Sequence, residues 1–134
     1  LHLCDRRQRQ MCIRDRFLPV QKAAIAALTG PLDMVKTQCG LYQQRRDALC
    51  GGLRSIGWNV PDSHGSMFVW APIPAKYAKS IDFCLDLVEK SGVLCTPGSS
   101  FGPLGEGYVR FALTLPPERI AEAVQSIKAS GILN

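Results

Sequence analysis

A chain of 134 residues has room for one domain with a real core, and not for two large ones. Hydrophobic residues make up 46% and charged residues 20%, as in an ordinary globular protein, and no apolar run has the length of a membrane span or the centre of a signal peptide. The net charge of +5 lies mostly in residues 1–16, which carry five Arg and two Asp, while residues 17–134 carry eleven Lys and Arg against nine Asp and Glu. The expectation is a cytoplasmic protein that binds neither membrane nor nucleic acid.

The basic tail, LHLCDRRQRQMCIRDR, has little apolar periodicity. It reads either as an arm for nucleic acid or an anionic surface, or as a disordered end. Its DRRQRQMCIRDR stretch resembles translated sequencing-adapter sequence. Residues 1–16 are therefore set aside as a non-native or disordered tail, and residues 17–134 are read as the domain.

Pro19 is placed to start a helix whose apolar stripe is Val20, Ala23, Ala24, Ala27 and Leu28, and Gly30-Pro31 ends it. A long helix over about Leu32 to Ile56 follows. Val35, Cys39, Tyr42, Leu49, Leu53 and Ile56 share one of its faces. Gly51-Gly52 weakens its last turns and Gly57 closes it. Trp58 to Val60 reads as a short strand before a turn at 61–65. Ser66 to Ile73 reads as a strand with an unbroken apolar centre, Met67 to Ala71, expected to be buried on both faces or nearly so.

Ser80 is suited to cap a helix from Ile81 to Ser91, with Ile81, Cys84, Leu85 and Val88 facing inward and Gly92 ending it. Val93-Leu94-Cys95 then reads as a short strand. A loop with Gly98, Gly102, Gly105 and Gly107 leads into a strand from Tyr108 to Thr114. Period-two alternation sends Val109, Phe111 and Leu113 one way, and Tyr108, Arg110 and Ala112 the other. Pro116-Pro117-Glu118 starts a final helix with Ile120, Ala123, Val124 and Ile127 as its buried face, stopped by Gly131. This order predicts an α/β two-layer sandwich: a small sheet of three or four strands covered on one face by helices.

Six cysteines do not make a framework. Cys4 and Cys12 fall in the tail, and Cys39, Cys50, Cys84 and Cys95 show no paired metal-ligand spacing, so reduced and mostly buried thiols are expected. His64 stands alone in a turn and reads as structural. Arg110 reads from alternation alone as a solvated charge on the wet face of the sheet. It stands directly after a glycine-rich loop, and such loops let backbone approach a ligand or another segment closely.

The run Thr96-Pro97-Gly98-Ser99-Ser100-Phe101-Gly102-Pro103-Leu104-Gly105-Glu106-Gly107-Tyr108-Val109-Arg110-Phe111-Ala112-Leu113 resembles the C-terminal signature of class I/II aminotransferases, the pyridoxal-phosphate enzymes of fold type I. Gly65-Ser66-Met67-Phe68-Val69-Trp70 is similar to the small-domain strand of that family, nearest the LL-diaminopimelate and alanine-type branch. The resemblance covers residues 17–134. It implies the C-terminal small domain of an enzyme that moves an amino group between an amino acid and a 2-oxo acid, with Arg110 binding the substrate α-carboxylate. It also implies pyridoxal phosphate as cofactor, held by a lysine and an aspartate of an upstream large domain, and a homodimer when intact. No catalytic, cofactor-binding or metal-binding residue is expected in this chain, and alone it is expected to be inactive. Ser126-Ile127-Lys128 is the nearest imitation of the family's lysine context, and it lies at the solvated end of a helix. The alternatives are the effector-binding half of a transcription regulator built on the same domain, or a free-standing binding module.

Overall fold

The computed structural model describes residues 17–133, so the expectations for the tail, Cys4 and Cys12 included, lie outside the described residues. Two helices come first, α1 (Leu18–Thr29) and α2 (Asp33–Ser55). The chain divides into two compact units, and the division falls within α2: the first unit ends at Thr37 and the second is Gln38–Asn134.

In the first unit, Pro19 sits in the first turn of α1, where its missing N–H costs nothing, and the Gly30 N–H closes the helix on the Ala26 carbonyl. The expected apolar stripe is present, but no residue of α1 is buried. Thr29 and Thr37 turn their hydroxyls back to the carbonyls four residues earlier.

The second unit holds a three-stranded antiparallel sheet and helices on one side of it. Its strands are β1 (Phe68–Pro72), β2 (Thr96–Pro97) and β3 (Tyr108–Ala112), in the order β1-β3-β2. Helix α3 (Ser80–Ser91) connects β1 to β2, and α4 (Pro117–Ser130) follows β3. In β3, Val109 and Phe111 are buried while Tyr108 and Ala112 are exposed, the alternation the sequence predicts. Val69 and Ala71 join Val109 and Phe111 on the inner face, against Leu49 and Leu53 of α2, Phe83 and Leu87 of α3, and Ile120, Val124 and Ile127 of α4. Full burial of one such side chain contributes about 1.5–3 kcal/mol. This is the two-layer α/β arrangement expected from the sequence.

Several local expectations are corrected. Trp58 and Val60 are buried but form no strand. The Trp58 indole N–H donates to the Pro72 carbonyl at 2.8 Å, and the Val60 carbonyl accepts from Arg54 Nε at 2.8 Å, so these residues are satisfied without a partner strand. The β1 segment is buried on one face only, with Trp70 37% exposed, because no second layer covers that side among the described residues. The strand expected at Val93 to Cys95 begins later. Leu94 is exposed and Cys95 turns into the core beside Cys84, so pairing with β3 starts at Thr96 opposite Arg110.

Helix α3 is rotated from its expected phase. Its buried residues are Ser80, Phe83, Cys84 and Leu87, and Ile81, Leu85 and Val88 are exposed. Both stripes have helical spacing. Phe83 decides between them, because its ring meets Trp58 and Tyr77 edge-on at 5.4 and 5.1 Å. The cap residue is Lys79, in extended conformation, and Ser80 is the first residue of the helix itself.

The long helix is buried only near its end, at Leu49, Cys50 and Leu53, while Val35 and Cys39 are exposed. Cys50, Cys84 and Cys95 are buried free thiols, and Cys39 is exposed. None of the described helices is long and apolar enough to cross a membrane.

Candidate functional site

Arg110 stands at the middle of the central strand, opposite Trp70 of β1 on one side and Thr96 of β2 on the other. It belongs to the face away from the helices and is half-buried. Its guanidinium carbon lies over the Phe68 ring at 4.0 Å and over the Phe101 ring at 4.2 Å from the centroids. Such contacts attract the cation to the ring faces. They leave the N–H groups, which radiate in the guanidinium plane, as hydrogen-bond donors.

The other described arginines are committed to protein oxygens. Arg45 donates to the Leu113 carbonyl, Arg46 and Arg54 to Asp47 and Asp62, and Arg119 to Glu122. Among the described residues, no carboxylate pairs with Arg110 and no protein oxygen accepts from it. A half-buried guanidinium with open donors is a place for an acceptor of two parallel hydrogen bonds, and a carboxylate has that shape.

Both rings are placed by local structure that the sequence reading did not single out. Two residues before Phe68 stands Ser66, the one non-glycine residue with positive φ (83°) among those described, and its hydroxyl accepts the Phe68 N–H at 3.2 Å. Phe101 ends a 3₁₀ turn, Gly98–Phe101, in the loop between β2 and β3. The two limbs of that loop touch at Gly98 and Gly105. A Cβ on Gly98 would lie 1.9 Å from the Gly105 carbonyl oxygen, and one on Gly105 would lie 2.1 Å from the Gly98 oxygen. No side chain fits at either position, which is why these two residues are glycines.

The loop is also tied to the start of α3. Glu106 Oε1 accepts the backbone N–H groups of Gly107 at 3.0 Å and Ser80 at 2.6 Å. These bonds, the Gly107 N–H foremost, hold the Glu106 carboxyl below the usual range. The Ser80 hydroxyl, fully buried, lies 3.2 Å from the Ser99 hydroxyl. The period-two register could have revealed Phe68 beside Arg110. Glu106 carried no sequence signal, because its partner is 26 residues away.

Two hollows lie near Arg110, the first on this face and the second reaching in among the helix-side residues Phe111, Val124 and Ile127. One, of about 430 Å³, is lined by Trp70, Phe101, Leu104, Gly105 and Tyr108. Another, of about 310 Å³, is lined by residues including Arg110, Cys95, Thr114 and Val124. His64 is exposed in the loop before β1 and lines a separate depression with Cys39 and Arg46. No group of three or more His, Cys, Asp or Glu side chains able to hold a metal occurs among the described residues. All six lysines are exposed: Lys22, Lys36, Lys76, Lys79, Lys90 and Lys128. A lysine that holds a cofactor covalently is activated by desolvation or by a neighbouring cation, and no lysine here is desolvated.

The family model for aminotransferase class I and II matches residues 2–127. An LL-diaminopimelate aminotransferase of Halothermothrix orenii is 46% identical over 116 residues, which are 87% of this chain and 30% of that protein. Among solved structures, an alanine aminotransferase from Pyrococcus furiosus superposes with a TM-score of 0.77 at 32% identity, over 83% of this chain and 29% of that one. An L,L-diaminopimelate aminotransferase from Chlamydomonas reinhardtii does so with a TM-score of 0.65 at 28% identity, over 73% and 24%. The chain thus spans about 30% of the length of the curated relatives it matches.

Proposed function

The chain belongs to the class I and II aminotransferases, and on that premise we propose that it is the C-terminal small domain of an enzyme transferring an amino group between an amino acid and a 2-oxo acid, with Arg110 holding the substrate α-carboxylate. The observation that carries this is the state of Arg110: flanked by two aromatic rings, half-buried, with its donors uncommitted while every other described arginine is bound to an oxygen. A planar guanidinium grips a carboxylate with two parallel hydrogen bonds and so fixes direction as well as position, which a lysine does not. The role is orientation of the substrate, which lowers a barrier without moving a proton.

The exposed lysines do not fit the covalent hold on pyridoxal phosphate that the family implies. We assign the cofactor, and with it the bond-making chemistry, to the upstream large domain of the intact protein. The hollow at Trp70, Phe101, Leu104 and Tyr108 supports the same reading, since large apolar side chains on one open face suit a surface that another domain covers. In this reading the intact enzyme is a cytoplasmic homodimer.

The test joins residues 17–134 to the upstream part of the Halothermothrix orenii relative. The joined chain should transaminate with pyridoxal phosphate, and the 134-residue chain alone should not. Borohydride reduction of the 134-residue chain with the cofactor, followed by peptide mapping, should find no stoichiometric lysine adduct. A single stoichiometric adduct would overturn the assignment of the cofactor to an upstream domain.

A further inference from the structure

The Phe101 ring over Arg110 comes from the loop between β2 and β3, not from a strand of the sheet. It sits midway along a loop that is pinned at two points to one residue, Ser80. On the near side, the Ser99 N–H and hydroxyl meet the Ser80 hydroxyl at 3.4 and 3.2 Å. On the far side, Glu106 Oε1 takes the Ser80 N–H at 2.6 Å and its own neighbour's N–H at 3.0 Å. Between these pins the limbs are pressed together at Gly98 and Gly105, so the loop has no slack there. Phe101 leaves this frame and places its ring 4.2 Å from Arg110 Cζ and, edge-on, 5.4 Å from Trp70. Phe101 is 49% exposed, so packing alone does not fix its ring.

We propose that Glu106 is a positioning residue for the carboxylate site. Its carboxylate clamps the β2–β3 loop to the start of α3, and through Ser80 and Ser99 it sets the Phe101 ring that aims the Arg110 guanidinium. Glu106 touches no substrate. It acts through three intermediaries and spends its charge on two backbone N–H groups, one of them an open donor at the first turn of α3. A neutral amide of the same size would hold those donors more weakly. Leu104, 99% exposed on the same loop, shows that this segment is not kept in place by burial. The inference rests on the proposed role of Arg110 for its functional meaning, but not for its geometry.

The test uses the uniformly ¹⁵N-labelled 134-residue chain. The Arg110 Nε–Hε resonance is identified by its loss in Arg110→Lys. Ring currents from Phe68 and Phe101 should hold it upfield of a solvent-exposed arginine. Phe101→Ala should move it downfield, and Glu106→Gln should move it in the same direction by a smaller amount, with the dispersed signals of Val109 and Val124 retained. A Glu106→Gln resonance at the wild-type position, while Phe101→Ala shifts it, overturns the proposal. So does a Phe101→Ala resonance that does not move. If Glu106→Gln fails to fold, Ser99→Ala removes only the hydroxyl contact with Ser80 and should give a downfield shift; none would overturn the proposal. A change confined to the Ser80 and Ile81 amides would show a helix cap and nothing more, which also overturns it. The carboxylate reading fails separately: a moved resonance in Glu106→Gln beside an unimpaired Arg110→Lys joined enzyme would keep the positioning and discard the clamp.

Discussion

Gly52 of α2 and Val124 of α4 touch so closely that a Cβ on Gly52 would lie 2.9 Å from Val124 Cγ2, while a Cβ on the adjacent Gly51 would meet nothing within 4 Å. The pair that weakens the last turns of α2 by propensity is therefore two different residues. Gly52 is the seat on which α4 packs, and Val124 is buried and β-branched, with little freedom to yield. Gly51 is only a flexible, exposed helix position.

Gly51→Ala should stabilise the chain by about 0.5–1 kcal/mol, the propensity difference at an exposed helix site. Gly52→Ala gains the same propensity but over-packs a tight contact, at a cost of about 1–3 kcal/mol, so its urea midpoint should fall. Two midpoints that rise together would show that α4 does not rest on Gly52.

The phase of α3 gives a second contrast. Phe83 is fully buried among Trp58, Tyr77 and Leu87, whereas Leu85 is 63% exposed. Phe83→Ala should cost about 3–5 kcal/mol, and Leu85→Ala no more than about 0.5 kcal/mol. The reverse order in urea unfolding would restore the phase that periodicity suggests.

That contrast also marks where the sequence stopped being legible. Alternation in β3 was readable because Val109, Phe111 and Leu113 leave one phase open, and the single helical layer agrees with it. Helix α3 offers two apolar stripes, and the choice rests on where Trp58 lies, which is a tertiary fact. Trp58 and Val60 looked like a strand because their residue types suit one. Their hydrogen bonds instead go to Pro72 and Arg54, partners set by the fold. For the candidate site, Arg110 stood out through the resemblance of its segment, while its strand face alone read as a solvated charge. Phe101 and Glu106 were not legible, because their parts depend on a loop that folds back on itself at Gly98 and Gly105.

Thiol chemistry should follow burial. Burial pushes the thiols of Cys50, Cys84 and Cys95 up, and the last two face each other at 3.3 Å within the core. At neutral pH the thiolate fraction of each is small and access is poor. Iodoacetamide with peptide mapping should label Cys39 in the native chain and reach Cys50, Cys84 and Cys95 only in urea. Labelling of Cys95 at the rate of Cys39 would mean that the segment before β2 opens readily.

Glu106 should leave a mark on acid stability. Its folded carboxyl titrates below the ordinary value of about 4.5, first through the Gly107 N–H and then through Ser80. Its contribution is therefore present above the unfolded value and is lost as pH falls through the folded one. Asp62 and Asp86 are held low as well, by Arg54 and Lys90, so the whole chain weakens in acid. The difference between wild type and Glu106→Gln isolates the one group. It should be largest at neutral pH and shrink steadily below about pH 4.5. A difference independent of pH would mean that the carboxylate charge contributes nothing to the clamp.

Arg110→Lys in the joined enzyme separates a carboxylate clamp from a solvated strand charge. Lysine keeps the charge, so a solvated residue would lose almost nothing. A clamp would lose its two-pronged geometry, and one carboxylate oxygen would be left poorly paired. A charged hydrogen bond of this kind is worth about 1.5–3 kcal/mol, so kcat/KM for the amino acid should fall on the order of ten- to a hundred-fold. The rings at 4.0 and 4.2 Å sharpen this expectation, because a compact ammonium cannot lie flat on both as the guanidinium does. The cofactor's absorbance should not change, since Arg110 acts on the substrate. A simple amine, which has no carboxylate to grip, should react about as well with either residue. Equal losses for amine and amino acid, or no loss for either, would show that Arg110 holds something other than the α-carboxylate.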